Sequence, residues 1–171
     1  MARRQGTRAA PVRGGFTLVE ALLASAILAL VIVSVTIPFT SASQNEQAGG
    51  RQTLATSLAE EMMEEILSKP FYDPNGYVTP GPDPGESSRG LYDNLDDYHG
   101  YSEAAGSIRN AAGDLCTDPL SYGLSRSVAA EYVYVSGQDT SGPPTFIRVT
   151  VTVSYRNQPV VRLVRLAYCV P

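Results

Sequence analysis

Glu20 is the residue whose surroundings most demand a chemical partner. Between Phe16 and Phe39 it is the sole ionisable side chain, set among Leu, Ile, Val, Ala, Phe and small hydroxyl residues. An acid in such a run is costly to bury and is normally tied to a counter-charge or a donor. A second oxygen-rich spot is Asp93, Asp96 and Asp97, three carboxylates within five residues beside Asn94. Calcium takes six to eight oxygen ligands in flexible geometry, so that loop has ligand chemistry for a weak calcium site, although its spacing is not that of an EF-hand. The ordinary use of the same residues is to cap turns and keep a loop soluble. Cys116 and Cys169 lack a C-x-x-C spacing and predict a structural disulfide if the domain lies outside the cytoplasm, with two separate buried thiols as the alternative. The lone His99, and the lack of a Gly-x-Ser-x-Gly elbow or a His-Glu-x-x-His pair, argue against a hydrolase.

The elements that must position these residues read clearly at the two ends of the chain and poorly between. The 171 residues suffice for one small domain and an apolar segment. Residues 16–39 are long enough, at about 1.5 Å per residue, to cross a ~30 Å hydrocarbon layer. Four arginines (Arg3, Arg4, Arg8, Arg13) precede this segment, which predicts a cytoplasmic start and an outward-facing C-terminal domain. Residues 40–69 continue as an amphipathic helix with Leu54, Leu58, Met62 and Ile66 four apart. Pro38 and Gly49-Gly50 are expected to kink or locally melt it, and Lys69-Pro70 to end it. Residues 70–126, rich in Pro, Gly, Asp and Tyr, predict mostly loop.

Residues 127–171 predict an antiparallel sheet. The strands expected are 128–136, 146–155 and 160–169, the second alternating strictly between Ile147, Val149, Val151, Val153, Tyr155 and Arg148, Thr150, Thr152, Ser154. Arg156-Asn157-Gln158-Pro159 is the expected turn before the third. The fold class is therefore α+β, a long N-terminal helix laid on a C-terminal sheet. Without its four leading arginines the chain's thirteen bases become nine against seventeen acids, a net charge of −8 that argues against nucleic acid as partner. From Thr140 onward there are four arginines and no acids, which predicts either docking between subunits or pairing with the acids of the same chain.

A basic start before an apolar run also describes a secretory signal peptide, with Ser41-Ala42-Ser43 as its small-residue cleavage site, or a plain single-pass anchor. The run exceeds the usual h-region length, and neither alternative accounts for Glu20.

Gly14-Gly15-Phe16-Thr17-Leu18-Val19-Glu20 resembles the prepilin peptidase signature of type IV pilins and type II secretion pseudopilins. The resemblance implies a leader of residues 1–15, cleavage between Gly15 and Phe16 by a prepilin peptidase, and methylation of the new Phe16 amine. The glycine pair suits such cleavage because it resists helix formation and leaves the backbone open to the peptidase. The freed amine, four residues from Glu20, could neutralise that carboxylate on a neighbouring subunit and set the axial register of a filament.

The segments 64–74 and 93–100 further resemble minor pilins of the MSHA-biogenesis type. This implies a non-enzymatic subunit that initiates or caps a filament. Its partners would be other pilins or pseudopilins, membrane lipid and the inner-membrane assembly platform. It would be a single-pass protein of the bacterial inner membrane before joining the pilus. A minor pseudopilin of type II secretion is the main alternative. A tip adhesin is another, binding through Tyr72, Tyr77, Tyr92, Tyr98, Tyr101 and Tyr122, although loop packing is the ordinary use of those tyrosines.

Overall fold

The computed structural model describes residues 14–76, 79–141 and 144–168. Residues 1–13 of the expected leader, Tyr77 and Cys169 lie outside them. The chain divides into two compact units at the Asn45/Glu46 boundary.

One helix, α1, runs from Leu18 to Leu67. Local melting is not found: α1 stays helical through Pro38 and through Gly49-Gly50. A proline inside a helix removes one hydrogen bond and costs about 3 kcal/mol. That is too little to break a helix propagating cooperatively for many turns on both sides. Within the first unit every large apolar side chain from Phe16 to Phe39 is about half exposed or more, from 49% at Val35 to 85% at Phe16.

The second unit contains the remainder of α1 and a four-stranded antiparallel sheet in the order β1 (Ser102–Glu103), β2 (Leu124–Val133), β3 (Phe146–Tyr155), β4 (Gln158–Tyr168). Of the strands expected, β3 has the predicted bounds, β2 begins four residues earlier and β4 two residues earlier. The region predicted as loop holds β1, the start of β2 and three single-turn 3-10 helices, Arg89–Leu91, Asp96–Tyr98 and Pro119–Ser121. Each of these is too short for a periodic apolar pattern. The turn before β4 is tighter than expected: Tyr155 pairs with Gln158, and both intervening residues, Arg156 and Asn157, have positive φ (49° and 66°). That backbone matches the right-handed twist of a two-residue hairpin.

The core forms where the apolar stripe of α1 meets the inward face of the sheet. Leu58, Met62 and Ile66 are buried as the four-residue spacing predicts, and Ala55, Ala59 and Met63 join them. From β3, Ile147, Val149, Val151 and Val153 are each fully buried, and Leu124, Val128 and Ala130 contribute from β2. Tyr92 and Tyr98 close one end, their rings edge to face with centroids 5.0 Å apart.

Candidate functional site

The first site is the start of α1. Thr17 stands just before the helix, and its Oγ1 accepts the Glu20 N–H at 3.2 Å. A hydroxyl residue followed three positions later by Glu is a helix-capping pattern, and an acid in the first turn complements the helix dipole. The sequence expectation for Glu20 overlooked this local role, though Thr17-Leu18-Val19-Glu20 displays it. Farther along, the hydroxyl groups within the apolar run are absorbed by the helix itself. Ser25 Oγ donates to the Ala21 carbonyl at 2.8 Å, Ser34 Oγ to Val31 at 2.8 Å and Thr36 Oγ1 to Ile32 at 2.7 Å. Donors satisfied this way do not oppose a lipid environment. By length and composition α1 could cross a membrane.

The second site is the acidic turn of the loop region. Asn94 and Asp97, both fully buried, cap it reciprocally. Asn94 Oδ1 accepts the Asp96 and Asp97 N–H groups at 2.9 and 3.1 Å, while Asp97 Oδ2 accepts those of Asp93 and Asn94 at 2.8 and 2.9 Å. The turn is tied to its surroundings by backbone bonds. Leu95 N–H donates to Pro70 O (3.1 Å), Gly81 N–H to Asp96 O (3.0 Å) and Gly100 N–H to Val128 O (3.1 Å). His99 Nδ1 meets the Ala130 carbonyl at 2.8 Å, a structural contact.

Asp93, Asp96 and Asp97, expected to act together, do not converge on one point. Among the described residues the converging acids are Asp83, Glu86 and Asp97, with one carboxylate oxygen from each lying within 4.8 Å of the others. Only Asp97 is shared between the two sets. A hydrogen bond with Asp73, partial burial and the charges of Asp73, Asp97 and Glu86 push the Asp83 carboxyl up to about 7. Burial raises Asp96, opposed in part by a hydrogen bond from Tyr132. Asp83 and Glu86 escaped the sequence expectation because they lie more than ten residues from Asp97, in a stretch whose prolines and glycines carry no periodic signal.

The basic groups of the loop and sheet are mostly engaged within the chain. Arg126 is completely buried. Its Nε donates to Glu103 Oε2 (2.6 Å), its Nη1 to the Leu58 carbonyl of α1 (2.8 Å) and its Nη2 to the Arg109 carbonyl (2.7 Å). Arg89 pairs with Glu65, whose Oε1 also accepts the Tyr98 hydroxyl at 2.8 Å. Burial raises the Glu65 carboxyl, but the Arg89 and Tyr98 bonds outweigh it and hold the group below its usual range. Arg148 pairs with Glu131 on the exposed face of the sheet at 2.5 Å, so one of the four C-terminal arginines finds its acid in its own chain. Cys116 is half-buried, and its N–H donates to Ile108 O at 2.8 Å. Of the tyrosines, Tyr92, Tyr98 and Tyr101 pack edge to face on one another and Tyr72 edge to face on Phe71, although Tyr72 and Tyr122 keep most of their surface exposed.

Compared with protein-family profiles, with curated proteins and with solved structures, the chain matches none of them.

Proposed function

We propose that this chain is a structural subunit of a type IV pilin-class filament, of the minor-pilin kind, anchored and assembled through α1. The observation that carries this is the start of the helix: a glycine pair, then Phe16, then an apolar run whose single acid lies in the first helical turn. Beside the Thr17 cap, the Glu20 carboxylate facing the N-terminal helix dipole contributes about 0.3–1 kcal/mol. A charged side chain at mid-bilayer costs about 2.5–3.5 kcal/mol on insertion scales, less near the interface. A cap alone does not repay that cost over most of the depth range, whereas a neighbour's amine supplies both charge and donors. Phe16 is 85% exposed at the head of the helix, which leaves the junction with Gly15 open to a peptidase.

In this reading a prepilin peptidase cuts after Gly15, the Phe16 amine is methylated, and the subunit waits in the inner membrane with its sheet unit outward until the assembly platform incorporates it. The test is the N-terminus of protein recovered from a host with a prepilin peptidase. Intact mass should correspond to a chain starting at N-methylated Phe16. A start after Ser43 would identify a signal peptide instead, and an uncut chain would identify a simple anchor.

A further inference from the structure

In the second unit, α1 and the hairpin turn before β4 enclose a cleft of about 780 Å3, and among the described residues no carboxylate lines it. Its two cations, Arg51 and Arg156, are unspent. The Arg51 guanidinium carbon lies over the Tyr155 ring, 3.8 Å from the centroid, and that of Arg156 lies 5.1 Å from the same centroid. Arg51 Nε is sealed from solvent with no acceptor. The ion pairs among the described residues use Arg89, Arg126 and Arg148, not these two. A buried N–H without an acceptor is unfavourable, and a guanidinium held against a ring loses little freedom when an oxyanion reaches its remaining donors. Arg156 stands in the turn with a φ of 49°, a backbone that a long side chain adopts at a cost, and its N–H donates to Gly123 O at 3.1 Å, which fixes the turn against the cleft. Tyr122, 69% exposed, and Leu120 add an apolar wall beside the cations. Asp118, the acid next to that wall in sequence, is turned to its own loop, where Oδ1 accepts the Leu120 N–H at 2.8 Å.

We propose that this cleft binds a phosphate group carried on an apolar or aromatic body, with Arg51 and Arg156 holding the phosphate and Tyr122 and Tyr155 flanking the body. Phosphate is favoured over carboxylate because a carboxylate is satisfied by one guanidinium fork, whereas a phosphate has oxygens and charge enough for two. The cleft falls in the range of about 300–1,000 Å3 common for small-molecule sites, more room than a bare phosphate fills. The whole chain carries a net charge of −4, so anion binding is local to this acid-free cleft and not a general attraction. Two sources share the chemistry: a soluble phosphate ester, and a phospholipid headgroup, since α1 could cross a membrane. The site lies in the second unit alone and stands whether or not the chain enters a filament.

The experiment is calorimetric titration of the full chain in dodecyl maltoside micelles, which carry no phosphate. One arm adds phenyl phosphate, a second adds dioctanoyl phosphatidylglycerol to the micelles, and benzoate is the carboxylate control. One phosphate compound should bind per chain, tighter than benzoate by about tenfold or more. Heat from phenyl phosphate alone assigns a soluble ester and heat from phosphatidylglycerol alone a headgroup, and either supports the site. Arg51→Gln and Arg156→Gln should each weaken binding by about tenfold or more. Arg148→Gln, at an exposed pair with Glu131 outside the cleft, should leave it unchanged. The Arg156 side chain is exposed, so Arg156→Gln reads the site even where Arg51→Gln disturbs folding. No heat in either arm with the wild type would overturn the site, as would binding that folded Arg156→Gln retains in full. Benzoate bound as tightly as the phosphate compounds would overturn the choice of phosphate.

Discussion

Two stretches of the same helix differ in what their side chains meet. Before Asn45, α1 carries large apolar residues all round, and none of them is buried. After Gly50 it is amphipathic: Ala55, Leu58, Ala59, Met62, Met63 and Ile66 are buried, and glutamates occupy much of the opposite face. An all-round apolar surface is suited to lipid or to other helices, whereas a single stripe is suited to one sheet. Hydroxyls return to their own helix in both stretches, Thr53 and Thr56 included, but among the described residues only the second also takes a partner from the sheet. In the first stretch, hydroxyls return to their own helix carbonyls. In the second, the Leu58 carbonyl is claimed by the Arg126 side chain of β2. The helix thus changes what its side chains meet along its length: none of its large apolar residues is buried in the first stretch, and a stripe of them is packed on the sheet in the second.

The strongest way to break this contrast is through Arg126. Removing one partner of a buried ion pair costs about 3–5 kcal/mol, because the other charge is left uncompensated. Arg126→Ala leaves Glu103 with the more distant Arg89 (3.4 Å) as its one remaining cation among the described residues and releases the Leu58 and Arg109 carbonyls, so a loss toward the lower end of that range is expected in denaturant unfolding of the full chain in detergent. Arg126→Met combined with Glu103→Leu should recover only part of it, because Glu103 also accepts from the Tyr101 hydroxyl and the Arg109 N–H and pairs with Arg89. If Arg126→Ala unfolds like the wild type, the network is not what joins β2 to the helix.

How much of this was legible beforehand depends on element length. The alternation of β3 and the four-residue stripe of α1 were visible because each repeats several times. Arg126 was obscured, although Leu124, Arg126, Val128 and Ala130 are consecutive inward positions of β2. An arginine on an apolar face signals a buried pair, but its partner Glu103 lies in a two-residue strand that no periodicity can announce. The acidic site was legible in composition and not in membership, since Asp97 is joined by Asp83 and Glu86 through the tertiary fold rather than by its sequence neighbours.

A smaller effect is expected at Gly123, just before β2. A Cβ there would lie 2.2 Å from Cε2 and 2.7 Å from Cδ2 of Tyr155, whose ring also carries the Arg51 guanidinium 3.8 Å from its centroid. Gly123→Ala should displace that ring and cost about 1–3 kcal/mol, the usual range for overpacking. Thermal unfolding checks it. Adding Tyr155→Ala should make the two changes strongly non-additive, as expected when one ring is the obstacle. Simple additivity would place the strain elsewhere.

The smallest effect should come from the apolar stretch itself. Leu28 is 60% exposed, and lipid tails are as apolar as leucine, so truncating it removes no burial from the sheet unit. Leu28→Ala should leave unfolding of that unit within about 0.5 kcal/mol of wild type. Met62→Ala, at a position with no exposed surface on the same helix, should cost about 2–5 kcal/mol through lost contacts and the cavity left behind. Both changes delete apolar side-chain atoms from the one helix, so any difference between them isolates what those atoms face. A Leu28→Ala loss approaching that of Met62→Ala would mean that the first stretch is packed against the protein after all, and the contrast between the two stretches would fall with it.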